Sequence, residues 1–226
     1  MTHRGPRAIF WDMDGTLVDT EPLWGIATYE LAEMLGRPLT PELREKTVGG
    51  SFANTLNVCA ANAGYTLRDG DYERYHAWIY ERMGQLLGTG LEPNPGIRGL
   101  LTSLADAGMR MFVTTNTERQ LADACIAAIG TDFFVDSITA DEVSRPKPAP
   151  DIYLEAVRRV GERPADCLVV EDSWAGMSAA VAAGCTVLGL AAEVPDHVVS
   201  FSPERFIGAE AADVDRWFAA AARGDG

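Results

Sequence analysis

Short apolar runs in this chain repeatedly stop dead at polar or charged residues, and that pattern restricts the fold more than anything else. Arg7 to Asp12 reads as a strand, Ala-Ile-Phe-Trp running straight into a carboxylate. Met109 to Thr115 is a second, ending at Thr115-Asn116. Asp136 to Ala140 is a short third. Cys167 to Val170 is a fourth, running into Glu171-Asp172, and Thr186 to Ala191 is a fifth. Helical patterns separate them at 97–107, 118–129, 150–160 and 174–183, each closed by a glycine, with a final helix at 211–222. Strands that are apolar throughout are covered on both faces, and intervening helices make the crossovers parallel. The expected fold is therefore α/β, with a doubly wound parallel sheet.

One segment breaks the alternation. From Leu23 to about Leu87 the patterning is helical, with almost no strand signal. Leu23, Ile26, Ala27, Leu31, Met34 and Leu35 fall at helical spacing, Pro22 suits the first turn and Gly36 the stop. Thr40-Pro41 reads as a cap and first helical position. Ser51 to Ala63, closed by Gly64, and Asp71 to Leu87 are two more helices. The last is rich in Tyr72, Tyr75, Trp78 and Tyr80, expected to be mostly core, with Arg74 and His76 on its solvated face. A Gly/Pro-rich junction at 88–96 returns the chain to the alternating pattern. The division predicted is residues 1–19 and 93–226 as an α/β core, and 20–92 as a helical insertion.

Charge and cysteine usage narrow the function. The net charge of -14 argues against binding a nucleic-acid backbone or an anionic membrane. No apolar stretch reaches the ~18 residues of a membrane helix. Cys59, Cys125, Cys167 and Cys185 form no Cys-x-x-Cys pair, so a zinc or redox motif is not expected, and Cys167 and Cys185 read as small buried hydrophobes. A cytoplasmic monomer is the default expectation.

In an open α/β sheet, ligands bind at the carboxyl ends of the strands. Four such ends here carry or lead to polar groups: Asp12 and Asp14; Thr115 and Asn116; Lys147 in Arg-Pro-Lys-Pro-Ala-Pro; and Glu171 and Asp172. Any one of these could be a helix cap, and Asp12 with Asp14 alone could be a metal site, an acid/base pair or capping residues. Together, on one rim, they are not explained by capping. Carboxylates without a neighbouring His or Cys select a hard cation, Mg²⁺. A carboxylate beside such an ion can attack phosphorus. Lys147 can offset the repulsion between anions, the Thr115 hydroxyl can hold phosphoryl oxygens, and a second carboxyl can move protons. Gly15 supplies the permissive backbone that a sharp turn between Asp12 and Asp14 needs.

Asp-x-Asp-Gly-Thr at 12–16, Thr-Asn at 115–116, Lys-Pro-x-Pro-Asp-x-Tyr at 147–153 and Glu-Asp-Ser-x-x-Gly at 171–176 resemble, in order, the four motifs of the haloacid dehalogenase superfamily. Asp-Thr-Glu-Pro-Leu-Trp at 19–24 and Ala-x-x-Ala-Gly at 180–184 resemble its subgroup of sugar-phosphate phosphatases and β-phosphoglucomutases. The resemblance covers essentially the whole chain and implies a Rossmann-like core with a helical cap. It implies that Asp12 is the nucleophile and a Mg²⁺ ligand, and that Asp14 is the general acid/base with its backbone carbonyl on the metal. Thr115, Asn116 and Lys147 would bind the phosphoryl group, Asp172 would ligate the metal directly and Glu171 through water. Val18–Pro22 and Gly90–Gly96 would be hinges of the cap. Relatives that displace halide lack the second carboxylate, so the presence of Asp14 argues against dehalogenation.

Mutases of this subgroup hold a second phosphate with basic residues in the loop written here as Val48-Gly49-Gly50-Ser51-Phe52, and carry a His where this chain has Trp24. Ungapped matching places Val48 and Phe52 where the cations would be. The resemblance with these departures implies a Mg²⁺-dependent phosphatase of a small phosphorylated metabolite, with Trp24 and Phe52 as candidate substrate contacts. A sugar phosphomutase and a non-catalytic phosphometabolite-binding protein are the alternatives.

Overall fold

The structure, a computed structural model, describes residues 5–48, 51–88 and 90–223. Gly49 and Gly50 of the Val48–Phe52 loop, Thr89 of the Gly/Pro junction and the last three residues lie outside the described set. Two compact units form: the chain up to Asp19 with that from Leu91 onward, and Thr20–Gly90.

The first unit is built on a six-stranded parallel sheet in the order β3-β2-β1-β4-β5-β6. The strands are β1 (Ala8–Trp11), β2 (Met111–Thr114), β3 (Asp136–Ile138), β4 (Cys167–Glu171), β5 (Thr186–Gly189) and β6 (Val199–Ser200). β1 is central, with Phe10 opposite Phe112 on one side and Val169 on the other. All of β1, β2 and β4 is buried, which is why those runs carry no polar alternation. Helices α5 (Ile97–Asp106), α6 (Arg119–Ile129), α7 (Asp151–Val160), α8 (Trp174–Ala182) and α9 (Ala211–Ala221) make the covering layers.

Each helix buries a face at helical spacing. In α7 it is Ile152, Tyr153, Ala156 and Val160, and these join Phe10, Phe112, Val169 and Met177 in one core cluster. On the opposite side of β1, Trp11 meets Phe206 edge to face, with ring centroids 6.1 Å apart. The strand order reverses beside β1, so the carboxyl ends of β1 and β4 flank the crevice where such sheets bind ligands.

The second unit contains α1 (Glu21–Met34), α2 (Pro41–Glu45), α3 (Phe52–Ala63) and α4 (Asp71–Leu87). Thr40 caps α2 through its side chain, Ser51 caps α3, and Gly64 ends α3 in the left-handed conformation. Arg44 is buried and bonded to Glu21 and to the Thr47 hydroxyl.

Several details differ from the sequence reading. β3 is shorter than 136–140, because Thr139 and Glu142 form a capping box that turns the chain at Ala140. β6 escapes any periodicity reading because it is two residues long. In α1 the buried face is Ala27, Thr28, Leu31 and Ala32, which leaves Ile26 and Met34 43% and 47% exposed. In α4 only Tyr75 of the four aromatics is fully buried. His76 is not on a purely solvated face: it stacks between Tyr72 and Tyr80, at centroid distances of 5.8 and 4.1 Å. Cys167 is buried as expected, but Cys185 is only half-buried. Among the described residues no helix is long and apolar enough to cross a membrane.

Phe10 sits at the centre of the core cluster with no exposed surface. Replacing it with Ala is expected to lower stability by about 3–5 kcal/mol, read from the midpoint of urea unfolding.

Candidate active site

Asp12 follows the last residue of β1, and its N–H donates to the Val170 carbonyl at 3.0 Å. The β1–β4 pairing therefore extends to the site and fixes the Asp12 backbone. The residue is 6% exposed. The Lys147 ammonium donates to Asp12 Oδ1 at 2.6 Å, to Glu171 Oε1 at 2.5 Å and to the Thr114 carbonyl at 2.9 Å. Its three protons thus have three acceptors from three strand ends. Lys147 reaches them from the loop after β3, through a backbone pinned by Asn116. The Asn116 side-chain oxygen accepts from the Lys147 N–H at 2.9 Å, and its amide donates to the Lys147 carbonyl at 3.1 Å. The Asn116 side chain is thereby committed to this loop.

Glu171, the last residue of β4, is completely buried and hydrogen-bonded on both oxygens. Oε1 accepts from Lys147 and from the Tyr153 hydroxyl at 3.0 Å. Oε2 accepts from the Ser173 N–H and hydroxyl, at 3.0 and 2.9 Å. Ser173 also caps α8, so the carboxylate lies at a helix N-terminus, where the dipole favours negative charge. Gly176 is required by close approach: a Cβ there would fall 1.6 Å from Glu171 Oε1.

Asp14 leaves the β1 end on a tight loop. Gly15 has φ +88°, and a Cβ on it would fall 2.0 Å from Asp172 Oδ2. Only glycine satisfies both the dihedral and the space. The Asn94 amide donates to the carbonyls of Gly15 and Thr16, at 3.3 and 2.9 Å, and ties down the same loop. Asp14 Oδ2 accepts from the Thr117 hydroxyl at 2.7 Å and, at 3.4 Å, from that of Thr115. Thr115 is held in turn by the Ile138 carbonyl on its N–H and by the Thr117 N–H on its hydroxyl, both at 3.0 Å.

Carboxylate oxygens of Asp12, Glu171 and Asp172 all lie within 4.8 Å of one another. Burial pushes the Asp12 carboxyl well above its ordinary value, and Glu171 adds to this while Lys147 opposes it. Burial, then the charge of Glu171, raises Asp172 to about 6. Burial alone would lower the Lys147 ammonium, but Asp12 and Glu171 outweigh it and hold the group well above its usual range. Three crowded carboxyls against one ammonium leave an excess of negative charge that a small divalent cation balances. The donor set is oxygen only. The residues fit a metal ion of that kind.

Asp12, Asp14, Thr115, Asn116, Lys147, Glu171 and Asp172 are thus brought to one rim of the sheet. Trp24 and Phe52 belong to the helical unit. There they stand at the ends of a partly exposed series of rings. Trp24 meets Tyr80 at 6.3 Å, and Phe52 meets Tyr72 and His76 at 5.4 and 5.2 Å. Arg145 is an exposed loop charge paired with Asp151. Thr117, Tyr153, Ser173 and Asn94 were not singled out in the sequence. Tyr153 and Ser173 stood inside quoted motifs, and the only signal for Thr117 is a second hydroxyl two residues after Thr115.

Comparison with known proteins agrees with this arrangement. A family model described as haloacid dehalogenase-like hydrolase matches residues 6–184, and the chain belongs to that family. It falls in the β-phosphoglucomutase and sugar-phosphatase subgroup with a helical cap, among the phosphoric monoester hydrolases. It is 29% identical to the "Phosphorylated carbohydrates phosphatase" of Thermotoga maritima, over 78% of this chain and 81% of that one. It is 28% identical to the "Beta-phosphoglucomutase" of Bacillus subtilis, over 81% and 83%. Among solved structures, CbbY from Rhodobacter sphaeroides in complex with phosphate superposes with a TM-score of 0.71 at 26% identity, covering 87% of this chain and 90% of that one.

The raised Asp172 carboxyl sets a pH dependence. Below about 6 it holds a proton in the metal-free protein, and a cation must displace it. Divalent-ion affinity is expected to fall at least roughly tenfold for each pH unit below that value, and more steeply where Asp12 also holds its proton. Isothermal titration should also detect proton release there, and Asp172→Asn should reduce that release, the remainder coming from Asp12, which burial raises as well. For stability the sign is the reverse of an ordinary paired carboxylate. The Asp172 contribution to the metal-free fold is present below the unfolded value of 3.8 and is lost as pH rises through about 6.

Proposed function

We propose that this chain is a Mg²⁺-dependent phosphatase that hydrolyses a small phosphorylated metabolite, a sugar phosphate or similar ester, through an aspartyl phosphate on Asp12. One observation carries the reading: Lys147 joins Asp12 to Glu171 on the same rim where Asp14 is held by two hydroxyls. This sets a nucleophile, a neutralising cation and a separate carboxyl for proton transfer side by side.

A carboxylate oxygen of Asp12 attacks phosphorus, forming the O–P bond as the ester O–P bond breaks. The Asp14 carboxyl gives its proton to the leaving oxygen, which departs as an alcohol. Water then attacks the same phosphorus and passes a proton to the Asp14 carboxylate. The bond to Asp12 breaks, releasing inorganic phosphate and restoring both carboxyls. Lys147 reduces the repulsion between Asp12 and the incoming phosphate, and the Thr115 hydroxyl can turn from its long 3.4 Å bond to Asp14 toward phosphoryl oxygens. Asp12 and Asp172 would hold the ion directly, with Asp14 adding its backbone carbonyl and Glu171 acting through water, because both its oxygens already have protein donors. When bound, Mg²⁺ supplies the positive charge that keeps Asp12 ionised and draws in phosphoryl oxygens.

Hydrolysis is favoured over mutase chemistry by the helical unit. Val48, Phe52 and Trp24 stand where mutases place charged or ionisable groups, and Arg44 is bonded to Glu21 and Thr47. Trp24 and Phe52 are assigned to the leaving group. Inorganic phosphate released from a panel of sugar phosphates with Mg²⁺ tests the proposal. Asp12→Asn is expected to lower the rate by roughly a thousandfold or more. Isomerised sugar phosphate with little free phosphate would instead identify a mutase, and binding without turnover a non-catalytic protein.

A further inference from the structure

We infer that Thr117 is a positioning residue for Asp14, holding the proton-transfer carboxyl in one orientation and assigning different tasks to its two oxygens. The inference rests on the reading of Asp14 as the general acid and deepens it. The hydroxyl of Thr117 donates to Asp14 Oδ2 at 2.7 Å, the shorter of the two bonds which that oxygen accepts from hydroxyls. Thr117 is itself oriented, because its backbone N–H donates to the Thr115 hydroxyl at 3.0 Å. Thr115, Thr117 and Asp14 are therefore joined by three bonds. These couple the carboxyl after β1 to the loop after β2, across 103 residues of sequence.

A carboxyl on a tight loop can rotate about its terminal torsion, which is broad and nearly two-fold. The Thr117 hydroxyl on Oδ2, at 2.7 Å, removes that symmetry even when Thr115 turns to a phosphoryl oxygen. Oδ2 is an acceptor in both protonation states: as carboxylate oxygen before it takes a proton, and as the carbonyl oxygen of the neutral acid. Oδ1 is then the oxygen that carries the proton to the departing alkoxide and receives one from water. Thr117 meets neither phosphorus nor metal in this scheme. It lowers the barrier by keeping Oδ1 aimed, and that matters in proportion to how badly the leaving oxygen needs a proton.

The leaving-group dependence of the first step reads this out. With Mg²⁺-loaded full-length protein, kcat/KM is measured for p-nitrophenyl phosphate, whose leaving group departs without help, and for phenyl phosphate, whose leaving group does not. In Thr117→Val, which keeps the shape and removes the donor, the ratio of the two constants is expected to rise about tenfold, a part of what a general acid contributes. Thr117→Ser should return the ratio to the native value. Thr117→Ala should match Val, which guards against a misfolded Val variant, and thermal unfolding checks each protein. A general weakening of the site would lower both constants together and leave the ratio unchanged, and that result overturns the inference. Asp14→Asn separates the two layers. If it raises the ratio and Thr117→Val does not, only the role of Thr117 falls. If Asp14→Asn leaves the ratio at the native value, the general-acid assignment falls with it.

Discussion

The site depends on one buried ammonium. Lys147 is 6% exposed and bonded to Asp12, Glu171 and the Thr114 carbonyl. A charge in that position costs several kcal/mol in lost hydration, on the order expected for a buried ion, unless every proton has an acceptor. Here each acceptor comes from a different strand, β1, β2 or β4. The ammonium therefore fastens the carboxyl ends of the three central strands at the point where the sheet reverses order. It also explains why Glu171 can be completely buried: the same cation, the Tyr153 hydroxyl and the Ser173 capping group share its two oxygens.

That arrangement is incomplete in charge. One ammonium faces Asp12, Glu171 and the half-exposed Asp172, so the cluster is left negative and its exposed edge is the Asp172 side. Burial raises Asp12 and Asp172, and the charge of Glu171 adds to both. The protein keeps this imbalance by local devices with no slack. Gly15 lets the loop pass within contact of Asp172, and Gly176 lets α8 begin against Glu171. A site built to be neutral would not need carboxylates crowded to this distance. A site able to take a cation does, since the cation answers that charge.

Much of this was legible in the sequence. Uninterrupted apolar runs mark strands covered on both sides, and glycine closes most of the intervening helices, so the parallel sheet and the helical insertion follow from local chemistry. The rim residues were legible because charge directly after an apolar strand has few structural reasons to exist. What escaped was whatever depends on cross-chain geometry. The sequence offered Asn116 as a phosphoryl contact but gave no sign that its side chain also pins the Lys147 backbone. Thr117 carries no charge and no motif, and its bond to Asp14 forms only once β1 and β2 are paired. The spacing marks α1 as a helix but not which face is buried: Ala27, Thr28, Leu31 and Ala32 carry that face, and Ile26 and Met34 lie beside it.

The helical unit was the least legible, and the reason is physical. A helix face rich in aromatics reads as core, since burial of large rings is the usual outcome. Of the α4 aromatics only Tyr75 is enclosed, while Tyr72, His76 and Tyr80 stack along the helix, with Phe52 and Trp24 joining from α3 and α1. Ring-on-ring contact stabilises such a row without removing it from solvent. Periodicity records which side chains share a face, not what that face meets. The chemistry of phosphoryl transfer is carried by charges at strand ends that every ester presents alike. The choice of ester depends on shape and apolar surface, which the sequence pattern encodes weakly. Similar identity to a carbohydrate phosphatase and to a phosphoglucomutase is consistent with that division, since overall identity does not separate the two activities.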